Sequence, residues 1–133
     1  MSFKTLMVIK ALVCLVFGIV MLIFPGALFS LLGVTLGPGG SIPAREYGAA
    51  LFGNLMLTWF ARKAGDSDAR MAIILALFVY DAIGFIVILI ASIGGLLNAL
   101  GWLVAVIYLF FALGFGYFLI RKPAAPQQVA VAT

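Results

Sequence analysis

The chain has 133 residues, a length suited to one domain; 66% of them are hydrophobic and only 9% are charged. A soluble domain of this size could not bury so much apolar surface, so we expect the chain to lie in a lipid bilayer. The net charge of +4 comes from basic residues at the ends of apolar segments, a pattern that argues against a nucleic-acid-binding surface. With no histidine and a single cysteine, Cys14, the sequence predicts no metal site, no cofactor and no enzymatic activity.

The first apolar segment covers about residues 5–24 and ends at a Pro-Gly pair. About 20 apolar residues are needed to cross a bilayer as a helix, so we predict a spanning helix that is retained rather than cleaved as a signal peptide. The segment ALFSLLG that follows is too short to span and predicts a short helix along the membrane interface. The next segment, VTLGPGGSIP, is rich in Gly and Pro and predicts a loop.

Two further spanning helices are predicted on either side of a charged linker, RKAGDSDAR. The second helix covers about residues 44–61, where apolar residues resume after the loop. The third covers about residues 68–93, and Asp66 or Ser67 can cap its N-terminus.

The sequence GGLLN then turns the chain, and Asn98 can cap a fourth predicted helix, 98–120, which stops at Arg-Lys-Pro. The predicted fold is therefore an all-α, membrane-embedded four-helix bundle over residues 1–122, with one short interfacial helix after the first span. Residues 123–133 are rich in Ala, Pro and Gln and predict a disordered cytoplasmic tail.

Basic residues cluster at the N-terminal end, in the linker between the second and third predicted helices, and at the C-terminal end. They are Lys4 and Lys10; Arg62, Lys63 and Arg70; and Arg121 and Lys122. The other side carries only Arg45, which directly precedes Glu46. Because Lys and Arg are enriched in cytoplasmic segments, we predict four spans with both termini in the cytoplasm.

One acid, Asp81, lies in the middle of the apolar run LALFVYDAIGFIVILI. At ~1.5 Å per residue it lies ~16 Å from Arg70, near the midplane of a bilayer core ~30 Å thick. The same count places Asn54 at ~12 Å, Tyr108 at ~20 Å and Lys10 at ~9 Å from the cytoplasmic ends of their helices. Asp81, Asn54, Tyr108 and Lys10 are therefore our candidates for a binding or proton site.

Small and polar residues share one stripe on each predicted helix, at spacings of three and four. The stripes are Lys10, Cys14 and Gly18; Tyr47, Ala50, Asn54, Thr58 and Ala61; Asp81 and Gly84; and Gly101, Ala105, Tyr108, Ala112 and Gly116. Small residues let helices approach in lipid and polar residues bond across them, so we expect the stripes to face each other around Asp81.

Three roles for Asp81 stay open at this point. As a protonated acid it would donate a hydrogen bond to Asn54 or Tyr108 and hold helices together. As a carboxylate it would form a salt bridge with Lys10, whose long side chain could instead extend to water. As a functional group it would either carry protons in a small transporter or form part of a polar ligand pocket.

Three segments together, LIFPGALFSLLGV, REYGAALFGNLMLTWFARKAGDSDAR and GLLNALGWLVAVIYLFFALGFGYFLIRK, resemble small bacterial four-helix membrane proteins that are loosely DoxX-like. The resemblance implies a four-helix bundle in the bacterial inner membrane and implies no activity. We hypothesise a non-enzymatic accessory or interaction subunit, or a holder of a lipid-like ligand. The alternative is a small proton-coupled transporter that titrates Asp81. The lipid bilayer is the expected partner, and both a homo-oligomer and a larger membrane complex stay open.

Overall fold

The structure, a computed structural model, describes residues 1–121, and these form five α-helices with no strand among them. In chain order the helices are α1 (Phe3–Ile23), the short α2 (Pro25–Leu31), α3 (Pro38–Ala61), α4 (Asp68–Ile93) and α5 (Leu100–Ile120). The all-α fold is confirmed. The predicted disordered tail, 123–133, lies outside the described residues.

Local signals set both ends of α1 and α2. Ser2 caps α1, because its side chain accepts a hydrogen bond from the backbone N–H of Thr5 at 3.1 Å. Pro25 is the first residue of α2, where a backbone N–H would have no partner within the helix, so its missing N–H costs no hydrogen bond. The chain turns after α2 at Gly33, whose φ of +84° suits glycine best. The predicted short helix after the first span is thus present.

Helix α3 begins at Pro38 rather than at residue 44, so the prediction of a loop was wrong over residues 38–43. Pro38 occupies the first helical position, and the carbonyl of Gly37 accepts a hydrogen bond from the N–H of Gly40 at 3.0 Å. Pro43 is the sixth residue of α3, and its missing N–H removes one intrahelical hydrogen bond there. Gly and Pro therefore mark the beginning of a helix here instead of a loop.

The start of α4 matches the prediction, since the Ser67 side chain accepts a hydrogen bond from the N–H of Arg70 at 3.1 Å. Asn98 stabilises the start of α5 by accepting from the N–H of Leu100 at 3.0 Å. The same residue also binds the end of α2, because its side-chain amide donates to the carbonyl of Leu31 at 2.7 Å. Asn98 therefore fixes the short helix against the α4–α5 turn.

The long helices pack as two pairs, α1 with α3 and α4 with α5. Glycines bring α1 and α3 close together: a β-carbon on Gly48 would lie 2.9 Å from the backbone nitrogen of Leu22 and 3.1 Å from the carbonyl oxygen of Gly18. Small residues of this kind let helix backbones approach in lipid. We call the boundary between the α1/α3 pair and the α4/α5 pair the seam.

A buried apolar cluster fills the seam where α1 and α4 begin and α5 ends. We call it the apolar core; it consists of Phe3, Leu6, Met7, Ile74, Leu77, Phe111, Phe115 and Phe118. Its residues come from α1, α4 and α5, so it joins the two pairs at this end of the molecule.

Apolar side chains also cover the outside of the protein, including Ile90, Ile93, Leu113 and Ile120, each at least 66% exposed. Helices α1, α4 and α5 are long and apolar enough to cross a membrane. These features support a membrane location. Helix α3, with a charged pair near its start, is less apolar than these three.

Candidate functional site

Lys10 of α1 and Asp81 of α4 form a buried ion pair across the seam, with side chains 4% and 0% exposed. Among residues 1–121, Asp81 bonds Lys10 and neither Asn54 nor Tyr108, so the geometry selects the salt bridge among the contacts left open by the sequence. The long lysine stem bridges the difference in depth between the two positions. Because its ammonium is buried, Lys10 no longer counts as a signal of membrane orientation.

Two aromatic rings surround the Lys10 ammonium. Its Nζ lies 4.4 Å from the ring centroid of Phe111 and 4.9 Å from that of Tyr80. A cation over an aromatic face is stabilised by up to ~2 kcal/mol when it is shielded from water. The sequence did not predict either ring. Tyr80 directly precedes Asp81 and Phe111 follows Tyr108 at a helical spacing of three, but these positions do not distinguish them from the many other aromatic residues.

The Asp81 carboxylate is only half satisfied. Oδ1 accepts a hydrogen bond from Lys10, whereas Oδ2 is buried and has no hydrogen-bond partner within residues 1–121. Leaving a buried polar group unpaired costs ~1–3 kcal/mol, and more when the group is charged. The site therefore retains an unused, strongly accepting oxygen.

Three tyrosine hydroxyls meet farther along the seam. The hydroxyl of Tyr47 on α3 is hydrogen-bonded to those of Tyr80 on α4 and Tyr108 on α5, and we call these residues the tyrosine cluster. Three hydroxyls carry three hydrogens, and their two mutual bonds use two of them, so one O–H is left to donate elsewhere. Tyr47 and Tyr108 belong to the predicted stripes, whereas Tyr80 does not.

The ion pair and the tyrosine cluster both cross the seam. Lys10–Asp81 joins α1 to α4, while the hydroxyl of Tyr47 joins α3 to α4 and α5.

The predicted inward stripe on α3 is only partly right. Thr58 is buried, but Ala50 is exposed. Asn54 is half-buried and does not line the cavity around the ion pair. Lys10, Asp81 and Tyr108 are thus brought together, and Asn54 is left outside.

A cavity of about 150 Å³, here called the inner cavity, lies between the two helix pairs. Lys10, Asp81 and all three residues of the tyrosine cluster line it, but its wall is mainly apolar. The apolar wall includes Cys14 of α1, Leu28 of α2, Leu51 of α3 and Val104 of α5. An apolar cavity of about 150 Å³ in a protein interior accommodates a benzene molecule. The inner cavity is therefore large enough for one six-membered ring.

A second and more open space of about 660 Å³, here called the outer cleft, lies mainly between α3 and α4. Its rim includes Ile83 and Val87 of α4, each 57% exposed on the apolar outer surface. Tyr47, Tyr80 and Tyr108 line both spaces. The tyrosine cluster therefore lies at the boundary between the inner cavity and the outer cleft.

Within residues 1–121, no three His, Cys, Asp or Glu side chains come together as a potential metal site. Comparisons with protein-family models, curated proteins and solved structures find no match for this chain. The resemblance to DoxX-like proteins stays a prediction.

Proposed function

We propose that this chain is a four-span membrane protein that holds a small, neutral, lipid-soluble ligand in the inner cavity without a chemical step. The observation that carries the proposal is a partly open, mainly apolar cavity of about 150 Å³ that is lined by Asp81, whose Oδ2 is buried and has no partner among the described residues. This is the usual composition of a small-molecule site, where apolar walls provide affinity and a few polar groups fix orientation.

The packing of α3 supports a fourth span. Its 24 residues extend ~36 Å, longer than a bilayer core ~30 Å thick. Helix α3 packs along α1, with close backbone contact at Gly18 and Gly48, so a membrane around α1 would also surround α3. The exposed Arg and Lys residues then favour a cytoplasmic location for the N-terminus and for residues 62–67. The bacterial inner membrane is the location that the resemblance implies.

The electrostatics of the inner cavity support a neutral ligand. Lys10 and Asp81 compensate each other's charge, so an anion would compete with Asp81 for the lysine and a cation would compete with Lys10 for the carboxylate. Removing one member of a buried pair from its partner is strongly unfavourable. A neutral molecule leaves the ion pair intact.

The two spaces suggest an entry route from the lipid. The outer cleft has exposed apolar residues on its rim. The residues that line both spaces are those of the tyrosine cluster and a few apolar neighbours. A lipid-soluble molecule could therefore pass between α3 and α4 and enter the inner cavity when these side chains separate.

The proton-coupled transporter remains the alternative proposal, and the geometry supports it less. Transport through Asp81 requires access from both sides of the membrane. The apolar core occupies the seam between Asp81 and the beginning of α1, whereas the open space lies on the other side of the tyrosine cluster. An accessory role in a larger complex and a homo-oligomer stay predictions.

Binding of benzene to the purified protein in detergent tests the proposal. We would follow it by ligand-observed NMR in unmodified protein, in Val104→Phe and in Val106→Phe. Val104 lines the inner cavity, so its replacement by Phe should fill the space and abolish saturable binding. Val106, on the same helix, is 60% exposed and serves as the matched control that should still bind. Absence of saturable binding, or equal binding by both variants, would reject the inner cavity as a ligand site.

A further inference from the structure

We propose that the ligand bound in the inner cavity carries a hydroxyl on a ring-sized apolar group, as a phenol or a cyclic alcohol does, and that this hydroxyl donates to Oδ2 of Asp81. The inference rests on the proposed function and specifies the class of ligand. Three observations carry it, namely the volume of the cavity, the unused acceptor on Asp81 and the spare donor in the tyrosine cluster.

The volume sets the size of the group. About 150 Å³ holds one six-membered ring and is too small to enclose a fused polycyclic system or a complete acyl chain. Aromatic side chains, including Phe17, Phe29 and Phe111, form part of the wall. Rings pack against such side chains at the offset or edge-on contacts that aromatic pairs prefer.

The Asp81 carboxylate sets the polarity of the group. Oδ2 is buried without a partner among residues 1–121, and a carboxylate oxygen can only accept hydrogen bonds. Asp81 is 0% exposed, so a ligand reaches Oδ2 only when the side chains around the carboxylate shift. An O–H or N–H group would then satisfy this oxygen, whereas a ketone, ether or hydrocarbon would leave it unpaired. Hydrogen bonds to charged groups are the stronger ones in a protein interior. The ligand is therefore expected to be a donor.

The tyrosine cluster distinguishes between donors. One of its three O–H groups is free to donate, so a ligand atom that accepts as well as donates suits the wall better than a group that only donates. A hydroxyl does both. An alkylamine would carry a positive charge and compete with Lys10, whose ammonium already bonds Oδ1 and lies over two aromatic rings.

Phenol and toluene provide a matched pair of probes, because they have nearly the same shape and differ by a hydroxyl in place of a methyl group. We would measure the affinity of each probe for the unmodified protein, relative to the concentration of the probe in the detergent phase. The signal from Val104→Phe, whose cavity is filled, would be subtracted as background. Phenol is expected to bind at least about tenfold more tightly, as one added hydrogen bond to a charged acceptor implies.

The double variant Lys10→Met/Asp81→Leu removes the acceptor while keeping the cavity apolar. Its phenol-to-toluene preference should fall to about one, with toluene still bound. Equal affinities in the unmodified protein, or a phenol preference that survives in the double variant, would overturn the ligand class while leaving the proposed function intact. Failure of both probes to bind the unmodified protein would overturn both proposals. If the variant does not fold, equal affinities in the unmodified protein still overturn the ligand class.

Discussion

The ring of Tyr108 on α5 occupies the space that a β-carbon on Gly84 of α4 would need. This contact places the Tyr108 hydroxyl where it reaches Tyr47 across the seam. The glycine on α4 is thus a condition for the tyrosine cluster, because any larger residue would push the ring away from its partner.

Gly84→Ala is therefore expected to destabilise the protein, although alanine is the better helix former. Overpacking of a well-filled contact costs ~1–3 kcal/mol, which exceeds the gain of up to ~1 kcal/mol from helix propensity. Gly53→Ala on α3 is the matched control, since a β-carbon there meets nothing within 4 Å and should be neutral or stabilising. Thermal unfolding in detergent measures both, and equal midpoints would contradict the tight contact.

The buried ion pair predicts strong coupling between Lys10 and Asp81. Asp81→Leu or Lys10→Met alone should lower the free energy of unfolding by ~3–5 kcal/mol, because each leaves a buried charge without its partner. The double variant should cost much less than the sum, since an apolar pair of similar size needs no counter-charge. A double-mutant cycle of detergent unfolding measurements gives the coupling directly.

The exposed pair Asp66–Arg70 provides the control for that cycle. Asp66 is 54% exposed, and pairs of this kind between residues four apart on or beside a helix contribute ~0.3–0.5 kcal/mol. Asp66→Ala should therefore change stability only slightly. Additive effects at positions 10 and 81, with no coupling, would mean that the ion pair does not hold the seam together.

Two features of the site and fold follow from the sequence alone, namely the depth of a residue along its helix and the start of a helix at a capping residue. Counting 1.5 Å per residue from the charged ends placed Asp81 at ~16 Å, Tyr108 at ~20 Å and Asn54 at ~12 Å. Tyr108 lines the inner cavity with Asp81, whereas Asn54 does not, so depth alone did not decide which residues meet. Caps such as Ser67 also gave correct helix starts, because they depend only on neighbouring residues.

The rotation of a helix about its axis depends on its partners and was not predictable in the same way. Gly48 makes the close contact between α1 and α3, and this contact leaves Asn54 half-buried and Ala50 exposed. Tyr80 and Phe111 were missed for a related reason. In a chain with 14% aromatic residues, no single ring stands out until the packing shows which ones lie next to the lysine.

The proposed topology predicts opposite locations for the start of α3 and the α3–α4 linker. In a Cys14→Ala background, Gly65→Cys in the α3–α4 linker should react with membrane-impermeant thiol reagents only from the cytoplasmic side. Gly39→Cys at the start of α3 should react only from the other side. Both glycines are exposed and a β-carbon meets nothing within 4 Å at either, so the substitutions should be tolerated. Labelling of both positions from the same side would show that α3 does not cross the membrane.

The tyrosine cluster predicts controlled access to the inner cavity, and Cys14 is a native reporter because it is the only cysteine in the chain and lines that cavity. Tyr47→Phe removes both hydrogen bonds that join α3 to α4 and α5. At a net value of ~1 kcal/mol per bond, opening should become easier by ~2 kcal/mol, and a small neutral thiol reagent should modify Cys14 roughly 30-fold faster.

Tyr117→Phe is the matched control for that experiment, since Tyr117 lies on α5, is 54% exposed and does not belong to the cluster. It should leave the rate at Cys14 unchanged. Because both variants delete one phenolic hydroxyl, a difference between them isolates the bonds that cross the seam. If Tyr47→Phe also leaves the rate unchanged, the hydroxyls do not restrict entry, and the ligand reaches the inner cavity by another route.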